Sequence, residues 1–146
     1  MKIQTILVPV DFSNHSKSAF EMAVDLAREF GASVSLVHVF PESMALVPPY
    51  GPALPADFGM QIERSATEHF EKWRQEHCPD DVEIKSYVRR GDPSRAICDL
   101  ADEIGCDLLV MGTKGTTGLA HVLMGSVAER TVRTASCPVL TTKADS

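Results

Sequence analysis

Four glycines, Gly112, Gly115, Gly118 and Gly125, crowd the stretch MGTKGTTGLAHVLMGS, which leaves an apolar run and enters a helix pattern at Ser126. Such spacing suits an anion. Glycine backbone can take positive φ, and no Cβ stands between its N–H groups and a phosphate. A helix beginning at Ser126 adds a hydroxyl and the N–H groups of Val127 and Ala128, along with the partial positive charge of its N-terminus. The same residues also admit a ligand-free reading. Ser126 and Glu129 fit an S-x-x-E capping box, with Gly125 as a simple turn. The stretch is not a P-loop, because no GK[ST] follows, and it is not a G-x-G-x-x-G after a first strand. Lys114 and His121 lie within it, either as cations for phosphate or as solvated loop side chains.

A plain strand-to-helix connection takes about 2–6 residues, so a loop of about a dozen asks for an occupant. The elements around it alternate. Residues 2–10, KIQTILVPV, form a β-branched run without alternation, the pattern of a strand covered on both faces. A helix follows, with Ala19, Phe20, Ala23, Val24, Ala27 and Phe30 on its apolar stripe and Gly31 as its stop. The second strand is ASVSLVHVF, residues 32–40. Five prolines exclude a regular element from residues 41–57, and the loop 41–56 starts on the side of the sheet where a ligand would sit, as a lid or as a variable surface loop.

A second helix starts near Asp57, with Ile62, Ala66, Phe70 and Trp73 on its stripe. Residues 82–90 alternate and read as a half-exposed edge strand. Asp92 and Pro93 open a third helix as N-cap and first helical residue; Ile97, Leu100, Ala101 and Ile104 form its buried face, and Gly105 ends it. CDLLVMG is a second doubly covered strand. The helix SVAERTVRTAS and a short strand, residues 138–143, complete the chain. The order βαβαβαβαβ predicts a parallel sheet with helices on both faces. Ligands of such sheets bind beyond the carboxyl ends of the strands, where strand order reverses. If strands one and four are neighbours there, PVDFS and the glycine loop line one crevice.

Composition narrows the partners. With 146 residues the chain fits one domain spanning 1–146, and a formal charge of −6 with no basic run argues against nucleic acid. A nucleotide remains compatible, since one cluster of N–H groups holds a phosphate on an acidic protein. No stretch approaches the roughly 20 apolar residues of a membrane span. The N-terminus lacks a signal-peptide cleavage site, so the expected location is cytoplasmic. Cys78, Cys98, Cys106 and Cys137 form neither a CxxC pair nor a zinc-like set and read as reduced, structural thiols. His38 reads as a core or crevice histidine, whereas His15, His69 and His77 fall on polar helix faces.

The set Gly112-x2-Gly115-x9-Gly125-Ser126, between an apolar strand and a helix leading into Cys137-Pro138-Val139-Leu140, resembles the G-2x-G-9x-G[S/T] pattern of the ATP-binding universal stress proteins. The segments ILVPVDFSNHSKSAFEMAVDLA, VSLVHVF and GDPSRAICDLADEIGCDLLVMGTKG extend the resemblance over almost the whole chain. It implies an α/β fold, a single doubly wound five-stranded parallel sheet of strand order 3-2-1-4-5, and commonly a homodimer.

It also implies a ligand, ATP or AMP, with or without magnesium or manganese. Gly112, Gly115, Gly125 and Ser126 would take the ribose and phosphates, with Met111, Val127 and Ala128 beside them in the same ATP site. Asp11 would accept from the ribose hydroxyls or the adenine amino group, or else cap the first helix. Pro9 and Val10 would wall the adenine, and Val39 matches the position whose backbone reads the base edge, or is plain core. The function implied is a homodimeric stress-response switch, paired through the strand that opens on Pro138 and closes on Lys143, with a further protein partner unidentified. The alternatives are a slow metal-dependent ATPase and a dimeric interaction module in which nucleotide is incidental.

Overall fold

Burial decides the strands. In the computed structural model, which describes residues 1–40, 58–114 and 124–143, β1 (Thr5–Pro9) has Ile6, Leu7 and Val8 fully buried. Consecutive side chains of a strand point to opposite faces, so three buried in a row require cover on both. That cover comes from α1 (Asn14–Phe30) and α2 (Phe58–His77) on one face, and from α3 (Pro93–Ile104) and α4 (Ser126–Thr134) on the other. Ile6 and Val8 join Phe20, Val24, Phe70 and Trp73, whereas Leu7 joins Ile97, Leu100, Leu109 and Ala128.

The remaining strands are β2 (Ser33–Phe40), β3 (Ile84–Arg90), β4 (Leu108–Gly112) and β5 (Val139–Thr142). All pairs are parallel and the order is β3-β2-β1-β4-β5, as expected. The chain moves outward from β1 through β2 to β3, then returns to lay β4 against the free side of β1, with Ile6 opposite Leu108 and Leu7 opposite Leu109. Strand order therefore reverses between β1 and β4. The strands are shorter at their ends than the apolar runs suggest. Residues 41–57 lie outside the described residues, so the expected lid falls there.

Local signals set the helix ends. Ser13 caps α1 by accepting from Ser16 N, and Gly31 closes it at φ 67°. Asp92 caps α3 by accepting from Arg95 N, Pro93 takes the first turn, and Gly105 closes it at φ 64°. Two apolar assignments differ. Phe30 is 52% exposed, because it occupies the last helical position beyond the strand that the helix covers. Ile62 and Ala66 are only half-buried, leaving Phe70 and Trp73 to anchor α2, with Trp73 edge-on to Phe20 at 5.2 Å. The three histidines assigned to polar faces all have neighbours. His69 stacks on Phe12 at 4.1 Å, His77 tilts against Trp73 at 4.7 Å, and His15 packs against Gly112.

That last contact defines one glycine. A Cβ on Gly112 would lie 2.8 Å from the carbonyl oxygen of His15 and 2.9 Å from its Cβ. Helix α1 thus approaches the end of β4 more closely than any side chain permits. Gly112→Ala forces α1 off the sheet, and unfolding free energy should fall by about 1–3 kcal/mol, as for other overpacked sites. Urea denaturation of the variant measures it; unchanged stability would mean that the contact is not needed.

Candidate functional site

A cavity of about 420 Å³ opens at the carboxyl ends of β1 and β4, at the reversal. This is within the roughly 300–1,000 Å³ typical of small-molecule sites. Its floor is apolar: Val10, Val37, Ile97 and Met111 are all buried lining residues. Pro9 and Val39 extend one wall, and Gly112, Thr113 and Lys114 another. Gly125, Ser126, Val127 and Ala128 form the far rim. The structure brings together every residue singled out from the sequence except Gly115, which, like Gly118 and His121, lies outside the described residues.

The rim is the beginning of α4. Gly125 is its N-cap and has no side chain to offer, and Ser126 is its first helical residue. The capping box read from Ser126 and Glu129 does not form, since the N-cap falls one residue earlier and no side chain caps the helix among the described residues. Glu129 instead pairs with Arg133 one turn on. The first N–H groups of the helix, at Ser126, Val127 and Ala128, face the cavity end with the partial positive charge of the helix behind them. Lys114 adds a cation to the same end.

Positive φ is not what Gly112 and Gly125 contribute. Gly125 sits at φ −69°, and among the described glycines only Gly31, Gly91 and Gly105 have positive φ. Gly112 is required by the approach of His15 instead. Gly125 N–H donates to the Thr113 carbonyl, and Thr113 N–H donates to Thr142 at 3.0 Å. The two ends of the glycine loop are therefore tied to each other and to β5.

Across the cavity, Asp11 does not cap α1. Its Oδ1 accepts from Ser13 N at 3.0 Å and from the Ser13 hydroxyl, and Ser13 is the cap. An Asx turn of this kind holds the carboxylate at the cavity wall, and a carboxylate has acceptor capacity beyond these two bonds. The turn is tight enough to place Phe12 at φ 68°, unusual for a bulky residue. Phe12 is held there by stacking on His69 and by His38 at 4.6 Å.

Sequence reasoning missed Ser16 and Thr113 as lining residues, and it assigned Ile97 to the core without its cavity edge. Helical spacing did carry a signal for Ser16, which shares a face with Ala19 and Phe20. His38 proves to be a crevice residue: it lines the cavity and its Nδ1 donates to the Val10 carbonyl at 2.8 Å. A carbonyl only accepts, so the neutral ring carries its proton on Nδ1.

The profile of the universal stress protein family matches residues 2–143. Universal stress protein MJ0531 of Methanocaldococcus jannaschii is 34% identical over 94% of this chain and 81% of its own. Among solved structures, hypothetical protein MJ0577 superposes with a TM-score of 0.83 at 26% identity, over 100% of this chain and 99% of that one. A universal stress protein solved in complex with cAMP superposes with a TM-score of 0.63 at 25% identity, over 99% of this chain and 100% of that one. No helix of the described residues is long and apolar enough to cross a membrane.

Burial, the largest influence, holds the His38 imidazole below its ordinary value; the Val10 carbonyl opposes this, and nearby His69 adds to it. The unfolded chain protonates this histidine near pH 6.5 while the folded chain lags behind. Below that pH the unfolded state binds more protons, so stability falls with acidification and is retained above it. Urea midpoints between pH 7.5 and 5 should fall more steeply for the native protein than for His38→Gln. Equal slopes would remove His38 as the titrating group.

Proposed function

The chain belongs to the universal stress protein family, and on that premise we propose that it binds an adenine nucleotide, ATP or AMP, in the β1–β4 cavity and acts as a homodimeric stress-response switch. The observation that carries this reading is the pairing of an apolar floor with an uncapped helix N-terminus across one cavity. A purine needs apolar walls, which Val10, Val39, Ile97 and Met111 supply. A phosphate chain needs convergent N–H donors and positive charge, which the first residues of α4 and Lys114 supply. Asp11, set by its bonds to Ser13, faces the space between and suits ribose hydroxyls or an exocyclic amine. The cAMP complex of a family member supports the ligand class. When bound, such a ligand supplies a phosphate whose hydrolysis state the protein can register. The chain's own part is to orient the base, hold the ribose and neutralise charge. One domain, residues 1–146, carries the whole site.

Dimerisation is proposed through β5. This strand lies at the sheet edge and Leu140 is 37% exposed. The carbonyls of Pro138 and Thr142 face β4, so by strand alternation those of Val139 and Thr141, with their N–H groups, face outward. An open edge of this kind pairs readily with a copy of itself about a two-fold axis.

Calorimetry tests the site. Native protein should bind ATP or AMP well below millimolar Kd, beyond about −4 kcal/mol, and Gly125→Val should lose at least tenfold in affinity while keeping its circular dichroism. Millimolar binding of every adenine nucleotide would end this reading. Light scattering tests the dimer: Thr141→Pro removes an outward donor and should halve the particle mass at micromolar concentration. A native protein that is already monomeric there would exclude the β5 interface.

A further inference from the structure

At the opposite end of the sheet from the cavity, two cysteines separated by 31 residues meet. Cys106 immediately follows the glycine that ends α3 and leads into β4; Cys137 follows α4 and leads into β5. Their sulfurs are 4.0 Å apart, with the Cys137 thiol donating to Cys106. The Cys106 thiol in turn donates to the Leu108 carbonyl at 3.0 Å. Both side chains are half-buried against the apolar layer under α3 and α4. We propose that Cys106 and Cys137 are a peroxide-responsive dithiol that closes to an intramolecular disulfide, with Cys137 as the attacking sulfur and Cys106 as the resolving one.

Geometry supports closure. A disulfide needs its sulfurs at about 2.05 Å, so side-chain rotation must bring them about 2 Å nearer. Their two strands are hydrogen-bonded neighbours, with Leu109 opposite Val139, so the backbones are already side by side. Cys98 also interacts electrostatically with the Cys137 sulfur, but the described sulfur–sulfur hydrogen bond is the one from Cys137 to Cys106. The order of attack follows from the thiol chain. Burial first, then the neighbouring Cys137 sulfur, pushes the Cys106 thiol up to about 12, so it is the slower of the two to attack a peroxide at neutral pH. Cys137, at the head of this chain of donors and with no sulfur donating to it, is then the attacking sulfur.

The chemistry balances with a hydroperoxide as oxidant. The Cys137 sulfur attacks the outer oxygen; the O–O bond breaks, an S–O bond forms, and the thiol proton passes to the departing oxygen, which leaves as water or an alcohol. Cys137 then carries S–OH in place of the S–H that donated to Cys106. The Cys106 sulfur displaces the hydroxyl, an S–S bond forms, and water departs with the Cys106 proton. Two thiols lose two electrons and the peroxide gains them. The new bond encloses the whole segment from β4 through the glycine loop and α4, limiting the unfolded chain.

Treatment of the full-length protein with a small excess of hydrogen peroxide, followed by non-reducing peptide mapping, tests this directly. The expected product is one crosslink joining the Cys106 and Cys137 peptides within a chain, reversed by dithiothreitol, with Tm raised by about 5–10 °C. With dimedone present, Cys106→Ser should trap an adduct on Cys137, whereas Cys137→Ser should show none on Cys106. Free Cys106 and Cys137 after oxidation of Cys78 or Cys98, a crosslink between chains, or Cys137 driven to sulfinic acid uncrosslinked would each overturn the proposal. A dimedone adduct on Cys106 would overturn the assigned order. The mapping of native protein decides the crosslink even if a serine variant fails to fold.

Discussion

The hydrogen bond from Gly125 N–H to the Thr113 carbonyl sets the geometry on which the site depends. It draws the start of α4 back to the end of β4 after the long glycine loop. Thr113 is in turn bonded to Thr142 of β5, and β4 is paired on its other side with β1. The first turn of α4 is thereby tied to the doubly covered, buried centre of the sheet. Helix N-termini attract anions wherever they occur; this one is aimed, at the point where strand order reverses.

The opposite wall is positioned by a comparable device at greater conformational cost. Asp11 turns back onto Ser13, and the chain passes through Phe12 at positive φ before α1 begins. Conformations of this kind cost on the order of 1–3 kcal/mol and persist where surroundings determine them. Here the surroundings are His69 from α2 and His38 from β2, both packed on the Phe12 ring. Helix α2 therefore contributes to the site without lining it. Both walls also meet through α1, whose His15 backbone rests on Gly112. Cavity shape and helix packing are accordingly one problem, and a side chain at Gly112 disturbs both.

The two ends of the sheet are chemically distinct. At the carboxyl ends lie the cavity, the uncapped helix and Lys114; at the amino ends lie the two sulfurs. One continuous segment, running from β4 through α4 to β5, connects them. A covalent closure at its base acts on the same stretch that forms the cavity rim, without touching a lining residue.

Much of this was legible in the sequence. Apolar runs without alternation marked β1 and β4 as covered on both faces, Gly31 marked the end of α1, Asp92 and Gly105 marked both ends of α3, and the glycine spacing marked the loop. These are local signals, written in backbone preference and in the period of apolar residues. The tertiary structure decided what locality cannot express. Gly112 is glycine because a helix almost one hundred positions earlier in the chain presses on it. Ser126 does not cap α4 because Gly125 is captured by Thr113 and takes the N-cap position itself. Phe30 left the buried role that periodicity assigned it, and His69, exposed as its polar face implies, still stacks on Phe12. Cys106 and Cys137 share no motif; only the pairing of β4 with β5 makes them neighbours. Spacing along a chain encodes which face a residue takes on its own element, but contact between elements is a property of the packed sheet.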